Sequence, residues 1–130
     1  MSTPDAVLWY LRIEPDRSSG VSILTVAGRV SHRTAPDFET ALASAAGTPG
    51  GGVVLDLSGV DYISSPGLRA VEAAAARMSA SGRGLVVCGL RDAVSVAFDL
   101  AGLTGTVAIE ESRAQAIDKA GRLDTSPRDV

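Results

Sequence analysis

Asp56-Leu57-Ser58-Gly59-Val60-Asp61-Tyr62-Ile63-Ser64-Ser65-Pro66-Gly67-Leu68-Arg69 is the stretch whose reading decides the fold. It begins inside Val53-Val54-Leu55-Asp56-Leu57, a short apolar run of the kind that forms strands buried on both faces. A short loop then leads to two serines and a proline, where a helix starts. Ser65 is placed to be the N-cap, its hydroxyl accepting a backbone N–H of the first turn. Pro66 then takes the first helical position, where a missing N–H costs little. A buried strand that feeds directly into a capped helix is the building unit of a layered α/β domain.

Working outward, the helix over 66–80 puts Leu68, Val71, Ala75 and Met78 on one stripe and Arg69, Glu72, Ala73, Ala76, Arg77 and Ala80 on the other face. Gly82-Arg83-Gly84 turns the chain into a strand at Leu85–Cys88. A third helix over 92–101 carries Val94, Phe98 and Ala101 inward and stops at Gly102, and 106–109 makes a last short strand. Ser112 and Gln115 have capping-box spacing ahead of a final helix containing Ile117. Upstream, a helix over 35–46 is closed by Gly47, Pro49 and three glycines. Before it, Val7, Trp9, Leu11 and Ile13 alternate as a strand, 15–20 is rich in turn formers, and 21–27 is a second strand, together an antiparallel hairpin. The pattern predicts an α/β domain: a mixed sheet with an N-terminal β-hairpin, then alternating helices and strands, the helices packed on the sheet. The expected layout is one domain over 6–121 with flexible ends at 1–5 and 122–130.

Composition agrees and excludes several functions. With 130 residues there is room for one core. Hydrophobic residues reach 45% and aromatics only 4%, so that core is aliphatic. The net charge is -3 and no Lys/Arg run occurs, which argues against direct nucleic-acid binding. No apolar run is long enough to cross a bilayer, and Met1–Asp5 lacks the charged-then-apolar signal pattern, so the expected location is the cytoplasm, without membrane insertion.

The chemistry of familiar active sites is missing. Gly50, Gly51 and Gly52 precede a strand, whereas a phosphate-cradling loop follows one and opens a helix. His32 is the only histidine and Cys88 the only cysteine, which leaves no zinc set and no internal disulfide. Cys88 stands between a strand and a helix, but a phosphatase thiolate needs an arginine where Val94 stands, and Arg91 occupies the second position of a redox cysteine pair. Cys88 therefore reads as a buried apolar thiol. His32 could act as base for a serine, although one histidine in a loop is more simply solvated surface. No catalysis, cofactor or metal is expected.

Ser65 has two readings. It caps a helix, and its hydroxyl at a helix start is open to a kinase. A phosphate there would bring about -1.5 to -2 charges to the positive end of the helix dipole. Asp56-Leu57-Ser58, the aromatic-aliphatic pair Tyr62-Ile63 and Ser64-Ser65-Pro66-Gly67-Leu68 resemble the signature of STAS domains in bacterial anti-sigma-factor antagonists, a strand Asp-Leu-Ser leading to Asp-Ser-Ser-Gly-Leu. Gly28-Arg29-Val30 with Thr34-Ala35 resembles the family's turn before its first helix. Leu85-Val86-Val87-Cys88 resembles its fourth strand, and Phe98-Asp99-Leu100-Ala101-Gly102-Leu103 its helix ending in Gly-Leu. The similarity covers about 7–120, and it implies a STAS-like fold.

The resemblance also implies a function. In that family the serine after the aspartate is phosphorylated by a serine kinase that is itself the anti-sigma factor. The unphosphorylated antagonist binds this kinase and frees the sigma factor, and a PP2C-type phosphatase restores the binding form. Ser65 falls on the acceptor and Gly67-Leu68 on the family's Gly-Leu. This sequence departs at Ser64 and Ser31, where the family has aspartates, and at Pro66, where it has a small residue. The implied partner surface comprises Ser31, His32, Arg33, Ser64, Pro66, Gly67, Arg69 and Ala73, with Ser31–Thr34 near Ser65 and Arg33 available to a phosphate. A constitutive STAS scaffold or subunit, with Ser65 only a cap, is the alternative, and loss of both aspartates favours it. A nucleotide-binding or hydrolysing domain is a third reading, which the absent phosphate loop weakens.

Overall fold

The computed structural model describes residues 11–122. Val7 and Trp9 of the expected first strand, and the expected flexible ends apart from Arg122, lie outside the described residues. Within them, β1 (Leu11–Ser18), β2 (Val21–Val30), β3 (Val53–Ile63), β4 (Leu85–Cys88) and β5 (Ala108–Glu110) alternate with α1 (Ala35–Gly47), α2 (Ser65–Ala80), α3 (Asp92–Leu100) and α4 (Arg113–Arg122). The strands lie side by side in chain order. β1 is antiparallel to β2, and the other neighbours are parallel.

The hairpin is tighter than its composition suggests. Residues 15–18, expected in a loop, continue β1, and only Ser19 and Gly20 turn the chain, with φ of 55° and 80°. Two successive positive φ values make the primed turn that matches strand twist. Pro15 is tolerated because β1 is an edge strand, where one N–H need not enter the ladder.

β3 alternates its side chains between two cores. Val53, Leu55 and Leu57 face Phe38 and Leu42 of α1, Val71 and Met78 of α2, and Val94 and Phe98 of α3. Val54 faces the other way, with Val21, Ile23, Val86 and Cys88, under Ala116 and Ala120 of α4. Helices thus cover both faces of a largely parallel sheet, which is why β3 and β4 read as unbroken apolar runs. Leu68 and Ala75, expected on the apolar stripe of α2, are half-buried, while Ala70 and Ala74 are buried. Ala101 is exposed, because α3 ends at Leu100 and Leu103 turns inward in its place. The expected capping box forms: Ser112 N–H donates to Gln115 Oε1 at 3.2 Å, and Gln115 N–H to Ser112 Oγ at 3.2 Å.

β3 runs six residues beyond the expected Leu57, ending at Ile63. Two register shifts against β2, between Thr25 and Ala27 and between Gly28 and Arg29, accommodate the extra length. Gly59 makes the first possible, since a Cβ there would lie 2.8 Å from Ala27 Cβ. The extension carries the chain to the end of the sheet and sets Ser64 and Ser65 at its rim.

Candidate functional site

The helix start is arranged one residue earlier than its sequence suggests. Ser64 is the N-cap, with φ -85° and ψ 170°, and Ser65 is the first helical residue. The reason lies in the sheet: Ser64 N–H donates to Val30 O at 2.7 Å, prolonging the β2–β3 ladder and holding Ser64 extended. Its carbonyl already accepts Leu68 N–H at 2.9 Å, and its Oγ accepts Gly67 N–H at 3.4 Å. Ser64 is only 2% exposed, whereas Ser65 is exposed. Capping and exposure, expected of one serine, are divided between two.

Pro66 follows at the second helical position, half-buried, and Gly67 is buried against the sheet. A Cβ at Gly67 would lie 2.7 Å from Val30 Cγ1 and 2.8 Å from Ile63 Cγ1. The missing side chain is what lets the first turn of α2 sit directly on the ends of β2 and β3.

The loop after β2 meets the same place. Val30 pairs with Ile63, so Ser31 emerges beside Ser64. Ser31 N–H donates to Thr34 Oγ1 at 2.9 Å, Thr34 N–H donates to Ser31 Oγ at 3.3 Å, and Thr34 Oγ1 donates to Arg29 O at 2.7 Å. This bonding closes the turn without a carboxylate at position 31 and leaves His32 and Arg33 exposed on it. On α2, Arg69 and Ala73 are exposed on the outward face with Glu72, Ala76 and Arg77. Ser65, Leu68, Arg69 and Glu72 line a shallow cleft of about 240 Å³, closed on its far side by Ala101 and Leu103 after α3. The structure therefore gathers Ser31, Ser64, Ser65, Pro66 and Gly67 at one end of the sheet and places Arg69 and Ala73 along the adjoining helix face.

Three residues of this rim were not anticipated. Arg29 lies opposite Tyr62 in the β2–β3 register, with its guanidinium 4.7 Å from the ring centroid and 3.9 Å from Asp61 Oδ1. Tyr62 is 40% exposed, an aromatic face three residues before Ser65. Only the extended β3 brings these side chains together, and the composition of 58–63 carries no alternating pattern that would have announced it.

Away from the rim, Asp56 is the buried charge of the sheet. Its Oδ1 accepts Ser58 N–H at 2.9 Å, its Oδ2 accepts Arg113 Nε at 3.0 Å, and the same guanidinium donates to Thr25 Oγ1. Burial pushes the Asp56 pKa up, but the Ser58 N–H and hydroxyl and the Arg113 charge outweigh it and hold the carboxyl below 3.8. Its neighbour across the ladder, Cys88, is buried, and burial with the Asp56 charge pushes the thiol up to about 11. Such a thiol is neutral and unreactive. Among the described residues no group of His, Cys, Asp and Glu is placed to hold a metal ion, and no helix is long and apolar enough to cross a membrane.

Comparison with known proteins gives this arrangement a family. Residues 13–111 match the family described as Mlab, STAS domain. BtrV of Bordetella bronchiseptica, named as an anti-sigma factor antagonist, is 32% identical over 106 residues, covering 82% of this chain and 91% of BtrV. The crystal structure of an anti-sigma factor antagonist from Mycobacterium paratuberculosis has a TM-score of 0.80 at 25% identity, over 92% of this chain and 98% of that one. The Bacillus cell fate determinant SpoIIAA in its phosphorylated form shares the fold, with a TM-score of 0.64 at 13% identity over 83% of this chain and 98% of its own. Matched across most of its length and 32% identical to BtrV over nine-tenths of that protein, the chain belongs to the STAS domain family.

Proposed function

We propose that the protein is an anti-sigma-factor antagonist that docks on a serine-kinase anti-sigma factor through the rim at Ser31–Arg33 and Ser64–Ala73, and that phosphorylation of Ser65 releases it. The observation that carries the reading is the division between the two serines: Ser64 caps the helix from a buried position, so the exposed Ser65 hydroxyl is not needed by the fold. The resemblance to BtrV and the existence of a phosphorylated form of SpoIIAA on the same fold support it. In the reaction, Ser65 Oγ attacks the γ-phosphorus of ATP held by the kinase, ADP leaves, and the hydroxyl proton passes to a base of the kinase. A PP2C-type phosphatase would hydrolyse the ester and restore the binding form.

A hundredfold loss of partner affinity needs about 2.7 kcal/mol. Enclosing a poorly paired phosphate dianion in an interface costs several kcal/mol, so one modified serine suffices. The alternative, a STAS module that binds constitutively, is favoured by one observation: Ser31 and Ser64 are tied into backbone bonding and present no carboxylate at the rim.

A pull-down from lysate of the source cell, with ATP or ADP present, separates the two. Wild-type and Ser65→Glu proteins serve as parallel baits, with captured proteins identified by mass spectrometry. Recovery of a serine-kinase anti-sigma factor on wild type and little on Ser65→Glu is the expected result. Equal capture by both baits, or capture of only unrelated scaffold proteins, would sink the switch and leave the constitutive module.

A further inference from the structure

Beyond the identity of the acceptor, we infer that Arg69 holds a phosphate on Ser65, clamping it against α2 across the cleft that the two residues share. The inference rests on the phospho-switch reading for its biological setting, but not for its chemistry.

Ser65 and Arg69 stand four residues apart on one helix, so their side chains are neighbours on its surface. Both line the cleft closed by Ala101 and Leu103, whose volume of about 240 Å³ leaves room for a phosphoryl group. Among the described residues no hydrogen bond or ion pair engages the Arg69 guanidinium, although other rim arginines are engaged: Arg29 on Asp61 and Tyr62, and Arg33 in interactions of its own. The orientation is the favourable one, with the anion N-terminal to the cation at i,i+4, in line with the helix dipole. Guanidinium is also the cation whose planar fork fits two phosphate oxygens. Glu72 is the cleft's acid, three residues beyond Arg69 and seven beyond Ser65, so Arg69 stands between the phosphate and that carboxylate. Phosphorylation then has a double effect: it adds an anion at the rim and withdraws Arg69, the outward arginine of α2 nearest that rim, from any partner.

The test uses the full chain with phosphoserine installed at position 65 during translation through an expanded genetic code, which needs no kinase. The second phosphate pKa, ordinarily near 6, is read by phosphorus-31 NMR titration. Pairing with Arg69 favours the dianion, so Arg69→Gln is expected to raise that pKa by roughly 0.2–0.4 units, and Arg33→Gln to leave it in place. In 1 M salt the difference between wild type and Arg69→Gln should shrink. A second readout needs no substitution: the Arg69 Nε–H resonance should move along the phosphate titration curve. An unchanged pKa in Arg69→Gln, an equal shift in Arg33→Gln, or an Arg69 resonance indifferent to the titration would each overturn the clamp. None of these outcomes bears on whether Ser65→Glu loses its partner, so failure of the clamp and failure of the switch are told apart.

Discussion

Ser64→Ala and Ser65→Ala differ by one position and should differ sharply in consequence. Ser64 Oγ is the side-chain acceptor for Gly67 N–H in the buried first turn of α2, and its removal leaves that donor without a partner. Removing a serine N-cap costs roughly 0.5–2 kcal/mol. The 3.4 Å length of this bond places the cost in the lower half, while the burial of Gly67 raises it, so about 1 kcal/mol is expected. Ser65, exposed in the helix and not used as a cap, should lie within about 0.5 kcal/mol of wild type when truncated. Urea unfolding followed by far-UV circular dichroism measures both. At an m-value of about 1–3 kcal/mol/M, Ser64→Ala should lower the midpoint by roughly 0.3–1 M with m unchanged, and Ser65→Ala should barely move it. In a thermal scan, 1 kcal/mol corresponds to about 4 °C for a domain of this size. The reasoning is refuted if Ser65→Ala is as destabilising as Ser64→Ala, because Ser65 would then be the cap and its hydroxyl would belong to the fold.

Further outcomes follow from other contacts. Gly67→Ala should cost roughly 1–3 kcal/mol in the same unfolding assay, since the new methyl would stand 2.7 Å from Val30 Cγ1, and a neutral result would mean that the first turn of α2 is not seated on the sheet. Asp56 is held below its ordinary 3.8, so its ionised form contributes stability that is present above that value and lost as pH falls through the lower folded value. The stability gap between wild type and Asp56→Asn should therefore be widest near neutral pH and narrow in acid below 3.8, and a gap that widens there would contradict the pairing with Ser58 and Arg113. Cys88, pushed up to about 11 from 9.0, carries about a hundredfold less thiolate than an ordinary cysteine at pH 8. Its reaction with a disulfide reagent should be at least that much slower in the native protein than in denaturant, and equal rates would place the thiol at the surface.

Much of the fold was legible, and the misses have physical causes. β4, at Leu85–Cys88, read correctly because a strand buried on both faces is apolar at every position. The Ser112–Gln115 box read correctly because its partners are three residues apart. The end of β1 was hidden by Pro15, Asp16 and Ser18, turn formers that an exposed edge strand accepts. The extension of β3 was hidden by Ser58, Gly59 and Asp61, which the strand accommodates at the register shifts between Thr25 and Ala27 and between Gly28 and Arg29. At the site, two serines before a proline leave the cap ambiguous by one residue, and the bond from Ser64 to Val30 that decides it joins distant parts of the chain. The Asp56–Arg113 pair, 57 residues apart, has no local signature at all.

The direction of the strands gives the molecule two poles. β2 and β3 both finish at the rim that carries Ser31 and Ser65, and Leu11 of the antiparallel β1 is aligned with Gly28, so the chain enters the described fold at that same pole. The last helix runs back the other way, and Ala120 lies against Gly52 at the start of β3. A fluorophore attached at Arg122 thus sits at the pole remote from Ser65, whereas one attached at Leu11 sits at the pole that carries it. Immobilising the protein through Arg122 or through Leu11 would accordingly present two different molecules to the same binding protein, one with its rim open and one with its rim shadowed.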